Sequence, residues 1–210
     1  MISNIAKARF ITIEGVEGVG KTTNIQFITS MLEAANIPYI VTREPGGTPV
    51  AELIRQLLLH KRDEHICELT ELLLIFAARA QHLHHVIAPA LQAGKWVVCD
   101  RFTDATYAYQ GGGRGLSKST IAALETMVQG ELRPDITYIL DLAPEIGLQR
   151  ARQRGELDRF EQEKVEFFNR VREAYLTRAS QEPGRCVVID AAMTLESVQT
   201  EIRRHLETML

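Results

Sequence analysis

The stretch F-I-T-I-E-G-V-E-G-V-G-K-T-T, residues 10–23, decides how the rest of this chain is read. It opens with four β-branched or aromatic residues, Phe10 to Ile13, that read as a buried strand. Gly15-Val16-Glu17-Gly18-Val19-Gly20-Lys21-Thr22 then satisfies G-x-x-x-x-G-K-[ST] at every fixed position. A helical pattern from Lys21 to about Ala35 follows, which completes the strand, loop and helix that give the motif its meaning. Glycines let successive backbone N–H groups turn toward one anion, and the positive end of the helix dipole adds to the attraction. The Lys21 ammonium is placed to reach the β- and γ-phosphates of a nucleotide, and the Thr22 hydroxyl to hold Mg²⁺. All eight residues from Gly15 to Thr22 are therefore expected at a nucleoside triphosphate, with Mg²⁺ beside it.

Outward from this loop, strand patterns recur at residues 37–42, 95–100, 135–141 and 185–190. Helical patterns lie between them: 49–60, a long run over 69–93 broken near Pro89, one capped by Ser117 and running to Gly130, a short one before residue 150, a charged one ending near Gln181, and an amphipathic one from Leu195. Gly111 to Gly113 and Gly115 read as a loop. Strands alternating with helices predict an α/β domain, a five-stranded parallel sheet covered on both faces, with ligands at the carboxyl ends of the strands. No Pro/Gly/Ser-rich linker divides residues 1–210, so one domain is expected, with a mobile lid at about 150–160.

Composition narrows the partners. With 45% hydrophobic and 24% charged residues and a net charge of -3, the chain is neither a general nucleic-acid binder nor a membrane-surface protein. Eighteen of its 24 basic residues are arginine, the side chain suited to bidentate phosphate recognition. Cys67, Cys99 and Cys186 are far apart in sequence and suit free thiols in a reducing cytoplasm. No apolar run reaches membrane-spanning length.

Three strands end in aspartate, at Asp100, Asp141 and Asp190. A magnesium–nucleotide site needs a carboxylate at a strand tip near the loop, and Asp100 is the preferred one because Arg101 adds a phosphate clamp at the same tip. Asp141 and Asp190 are read as capping or turn residues. His82, His84 and His85 have no acid or cysteine at metal-ligand spacing and are not read as a metal site.

The segment D-R-F-T-D-A-T-Y-A-Y-Q (100–110), with the loop at 15–22, T-R-E-P-G-G-T (42–48) and F-A-A-R (76–79), strongly resembles the bacterial thymidylate kinase family. The resemblance runs from about Phe10 to Asp190, with four motifs in order. It implies the P-loop nucleoside monophosphate kinase fold, a homodimer, and transfer of the γ-phosphoryl of ATP to dTMP to give dTDP for dTTP synthesis. It also implies roles: Glu17 at the sugar 3′-hydroxyl, Arg55 at the dTMP phosphate and Arg101 between the two phosphates. Arg79 is then expected at thymine O4, Thr106 and Gln110 near N3, and Tyr109 where a ribose 2′-hydroxyl would clash. The Glu44–Pro45 bond falls where the family has a cis peptide, and the helix bearing the three histidines falls at the family's subunit contact.

Two departures bear on the site. Ala105 stands where the family has serine, and Ile75 stands where many members have a phenylalanine that stacks on the base. Phe76 is one residue later, about 100° around a helix, so Ile75 is expected to form an aliphatic wall while Phe76 packs elsewhere. The loop carries no arginine among Val16, Glu17, Gly18 and Val19, so catalytic charge is expected from the lid A-R-Q-R-G-E-L-D-R (151–159), chiefly Arg154, with Arg150 one helical turn before it. A kinase for another nucleoside monophosphate or for a deoxynucleoside is the alternative reading, with Arg55 and Arg101 favouring a monophosphate. A regulatory GTPase would need N-K-x-D, which is absent.

Overall fold

The computed structural model describes residues 8–153 and 158–210. Five strands, β1 (Phe10–Glu14), β2 (Tyr39–Arg43), β3 (Trp96–Asp100), β4 (Ile136–Asp141) and β5 (Cys186–Asp190), form one parallel sheet in the order β2-β3-β1-β4-β5. β1 lies in the middle and is buried along its whole length. This is why apolar Phe10 and Ile11 sit on opposite faces and even Thr12 and Glu14 are buried. Ile13 lies opposite Asp100 and Glu14 opposite Ile139, so the loop after β1 emerges between the tips of β3 and β4.

Among the described residues, the helices are α1 (Lys21–Ala34), α2 (Pro49–Leu59), α3 (Glu68–His82), α4 (Ala88–Gln92), α5 (Thr103–Thr106), α6 (Lys118–Gln129), α7 (Pro144–Arg152), α8 (Val165–Gln181) and α9 (Leu195–Leu206). Thr48, Ser117 and Thr194 cap α2, α6 and α9 by accepting a backbone N–H from the first turn. The main core fills the β1, β4 and β5 side of the sheet with Ile11, Ile13, Ile28, Tyr138, Phe168 and Ile202. The other face packs Phe10, Val97, Cys99 and Phe102 beneath Leu83 and Ile87.

Two elements differ from the sequence reading. The long helical run does not break at Pro89; it passes through a π-helical turn, Leu83–Ile87, which ends before the proline. Gly111 to Gly113 do not form a loop, because α5 continues as a π-helical turn over Tyr107–Gly113. A Cβ on Gly112 would meet the Ala174 Cβ at 2.5 Å and the Arg170 carbonyl oxygen at 2.8 Å. One on Gly113 would strike the Phe167 ring. These glycines let two helices touch, and turning the chain is not their task.

Candidate active site

The Gly15–Thr22 loop lies against α7. Gly18 has φ +72°, and a Cβ there would overlap the backbone of Gly147, whose own Cβ would in turn overlap the Glu17 carbonyl. Backbone meets backbone with no room for a side chain, so the helix that leads to Arg150 and Arg152 starts on the phosphate loop itself. Lys21 is buried, and its Nζ donates to the carbonyls of Gly15 (3.2 Å) and Val16 (3.1 Å). Burial and then the nearby Arg101 lower its pKa to about 8. Thr22 is exposed at the helix start. Asp100 ends β3 with a buried Oδ1 that has no hydrogen-bond partner among the described residues. An orphaned carboxylate oxygen beside a phosphate loop fits a hard cation such as Mg²⁺.

A cleft of about 620 Å³ opens beside the loop. Glu17, Arg55, Ile75, Arg79, Arg101, Thr106, Tyr109 and Gln110, the eight residues expected at the acceptor, all line it. Ala105 lines it too, as do Asp158 and Phe160, which precede α8. Phe76 packs with Leu72 and Ile121, and its ring lies 4.8 Å from the Arg79 guanidinium carbon.

Arg101 adopts a left-handed backbone, φ +66°, unusual for a residue with a Cβ. It is held by its neighbours: its N–H donates to the Ile13 carbonyl at 3.0 Å, and the next N–H, of Phe102, donates to Glu14 Oε1 at 2.7 Å. Glu14 also accepts from Tyr175 Oη at 2.8 Å, and burial with nearby Asp104 pushes its pKa up to about 8. So fixed, Arg101 Nη2 donates to Glu17 Oε1 (2.8 Å) and Tyr109 Oη (3.0 Å), while Tyr109 Oη lies 2.9 Å from both Glu17 oxygens. Backbone strain of this kind, on the order of 1–3 kcal/mol, is concentrated at functional sites.

Arg79 is 1% exposed. Nε donates to Glu44 Oε2 at 2.7 Å and Nη2 to Thr106 Oγ1 at 2.9 Å, while Nη1 has no partner among the described residues. Glu44, in the cis Glu44–Pro45 peptide, also takes His82 Nδ1 at 3.0 Å, and His82 Nε2 reaches Thr42 Oγ1 at 2.6 Å. His82 is thus a link in the support of Arg79. Arg55 donates Nη1 to the Pro45 carbonyl at 2.9 Å and forms no ion pair among the described residues. Burial, then Arg43 and Arg101, lower its pKa, the setting of a guanidinium that an anion would relieve. Elsewhere, Asp141 is clasped by Arg172 Nε (2.6 Å) and Nη2 (2.8 Å), and Asp190 accepts the Ala192 N–H in a turn.

Of the arginines expected in a lid, Arg150 is exposed on α7, whose last helical residue is Arg152, and Arg154 lies outside the described residues. Arg159 turns away from the phosphate loop: Nη2 donates to Glu71 Oε2 and Nε to the Leu58 carbonyl, both at 2.6 Å. Glu14, Glu44, Glu71, Gly147, Asp158 and Phe160 were not among the expected site residues. For Glu44 and Glu71 the signal was present, since a buried arginine needs a carboxylate, but their arginines lie 35 and 88 residues away.

Residues 13–202 match the family model for thymidylate kinase. The chain belongs to the thymidylate kinase family. It is 59% identical over 202 residues to the thymidylate kinase of Teredinibacter turnerae, covering 96% of this chain and 98% of that one. To the thymidylate kinase of Pseudomonas putida strain W619 it is 61% identical over 193 residues, covering 92% and 93%. The crystal structure of thymidylate kinase from Ehrlichia chaffeensis superposes with a TM-score of 0.78 at 34% identity, covering 95% of this chain and 98% of that one. The fold is the P-loop nucleoside monophosphate kinase fold, and the chain is an ATP-dependent kinase that phosphorylates dTMP. No described helix is long and apolar enough to cross a membrane.

Proposed function

We propose that dTMP lies in the cleft with its phosphate between Arg55 and Arg101, its 3′-hydroxyl on Glu17 and its base against Ile75. Arg79 Nη1 donates to thymine O4, Gln110 and Thr106 flank N3, and Tyr109 closes the space a 2′-hydroxyl would need. The observation that carries this reading is the buried Nη1 of Arg79, without a partner among the described residues, in a cleft lined by all the other residues named for dTMP. Leaving such a donor without an acceptor is costly, so the site favours a base with a carbonyl there. ATP takes the Gly15–Thr22 loop, with Lys21 on its terminal phosphates, and Mg²⁺ is held by Thr22 and Asp100. When bound, Mg²⁺ neutralises charge on the transferred group. Arg150 and Arg154 add charge from the lid, and the chain is one domain, residues 1–210. Its free thiols, with Cys67 exposed, suit a cytoplasmic setting.

The enzyme acts as a homodimer through α2, α3 and α6. Support comes from Val50, Leu53 and Leu57 on α2, Leu69, Leu73, Ala77 and Ala80 on α3, and Met127 on α6, all exposed. A coupled assay with ATP and a panel of nucleoside monophosphates tests the acceptor assignment. The expected result is dTMP as best substrate, and clear preference for dUMP or dCMP would refute it.

A further inference from the structure

Glu71, in the first turn of α3, is 1% exposed and gathers donors from three residues in two other parts of the chain. Gln110 Nε2 reaches Oε1 at 2.8 Å, Arg114 reaches it with Nε at 3.2 Å and Oε2 with Nη2 at 3.3 Å, and Arg159 Nη2 reaches Oε2 at 2.6 Å. Two guanidiniums offset the burial of this carboxylate. The consequence lies at Gln110. The two ends of a carboxamide have the same shape, and only partner chemistry decides which way it faces. A carboxylate accepts and never donates, so Gln110 must present its NH₂ to Glu71. Gln110 lines the cleft, and its remaining polar atom is the acceptor Oε1.

We propose that Glu71 is a positioning residue for base selection: it locks Gln110 as a hydrogen-bond acceptor, so that the cleft pairs with a base bearing a ring N–H beside a carbonyl. The proposal rests on the placement of thymine described above. Arg79 Nη1 supplies the donor and Gln110 Oε1 the acceptor, a pair complementary to thymine O4 and N3–H. 5-Methylcytosine offers the reverse, an amino donor and a bare ring nitrogen, with the same methyl group. Arg159 ends on the same carboxylate, and its backbone N–H donates to the Leu59 carbonyl at 3.2 Å, so the lid's return to the body is anchored at the group that orients the base reader.

The test compares kcat/KM for dTMP and for 5-methyl-dCMP, with ATP, in the full-length enzyme. Glu71→Gln frees the Gln110 amide to turn over, and the dTMP to 5-methyl-dCMP ratio is expected to fall about tenfold, mostly through KM. In a Gln110→Ala background the same substitution is expected to leave the ratio unchanged, because the residue it acts through is gone. Glu71→Asp keeps the charge for both arginines and shortens the reach to Gln110. It should give a smaller fall that also vanishes in the Gln110→Ala background, and it carries the test if Glu71→Gln does not fold. An unchanged ratio with Gln110 present, or an equal fall in both backgrounds, overturns the proposal. Preference of the unsubstituted enzyme for 5-methyl-dCMP would instead overturn the placement of thymine.

Discussion

Arg79 and Lys21 are both buried cations of the candidate site, yet their surroundings differ in kind. Arg79 has a carboxylate on one nitrogen, a hydroxyl on another and, among the described residues, nothing on the third. Lys21 has two carbonyls among the described residues, and burial lowers its pKa to about 8 from 10.5. Between pH 8 and 10.5 the folded protein therefore holds less proton on this amine than the unfolded chain does. Stability gains from this group as pH rises through that window, while below pH 8 the full penalty of burying the charge is present. Phosphate oxygens restore the proton. ATP binding at pH 8.8 is expected to take up a fraction of a proton that it does not take up at pH 7.2, read by calorimetry in buffers of different ionisation heat. Equal uptake at both pH values would mean that Lys21 stays charged without nucleotide.

At the level of elements, the glycines divide into those that bend the chain and those that let it touch a neighbour. Gly112→Ala pushes a methyl into α8 and should destabilise the protein by about 1–3 kcal/mol, seen as a lower thermal midpoint. At Gly115, where φ is +78° and a Cβ would meet nothing within 4 Å, alanine should cost only about 1 kcal/mol. Equal costs would show that packing against α8 is not what Gly112 provides. This is why the G-G-G run reads from sequence as a loop: composition reports conformational freedom, and close approach of α8 is known only after folding. The strands and most helices are legible because their signals are local, and the motifs bring Glu17 and Arg101 to one cleft. Glu44 and Glu71 are not legible, because a buried carboxylate means little until its arginines arrive from distant segments. Arg154→Ala is expected to lower turnover strongly while weakening dTMP binding little, since a lid arginine serves the transferred phosphoryl group. Steady-state and binding measurements check this, and unchanged turnover would return the catalytic charge to Arg101.

For the whole molecule, α3 connects the active site to the proposed dimer. Its inner face carries Glu71, Ile75 and Arg79, all buried, and its outer face carries Leu69, Leu73, Ala77 and Ala80, all exposed. Residues four apart on a helix share a face, so the outer positions form a continuous apolar stripe beside Leu53 and Leu57 of α2. A stripe this apolar on an otherwise charged chain is what a symmetric pair of helices would cover, each copy burying the same patch of the other. Leu53→Glu with Leu73→Glu places charge in that contact without touching the cleft, because both side chains point to solvent in the single chain. Sedimentation velocity is expected to show the unsubstituted protein at twice the mass of one chain and the double variant at the mass of one. Since α3 loses its outer support in the monomer, KM for dTMP should rise more than KM for ATP, whose loop follows β1 on the far side of the cleft. A double variant that remains dimeric would place the contact elsewhere, and a monomeric unsubstituted enzyme would remove the dimer altogether.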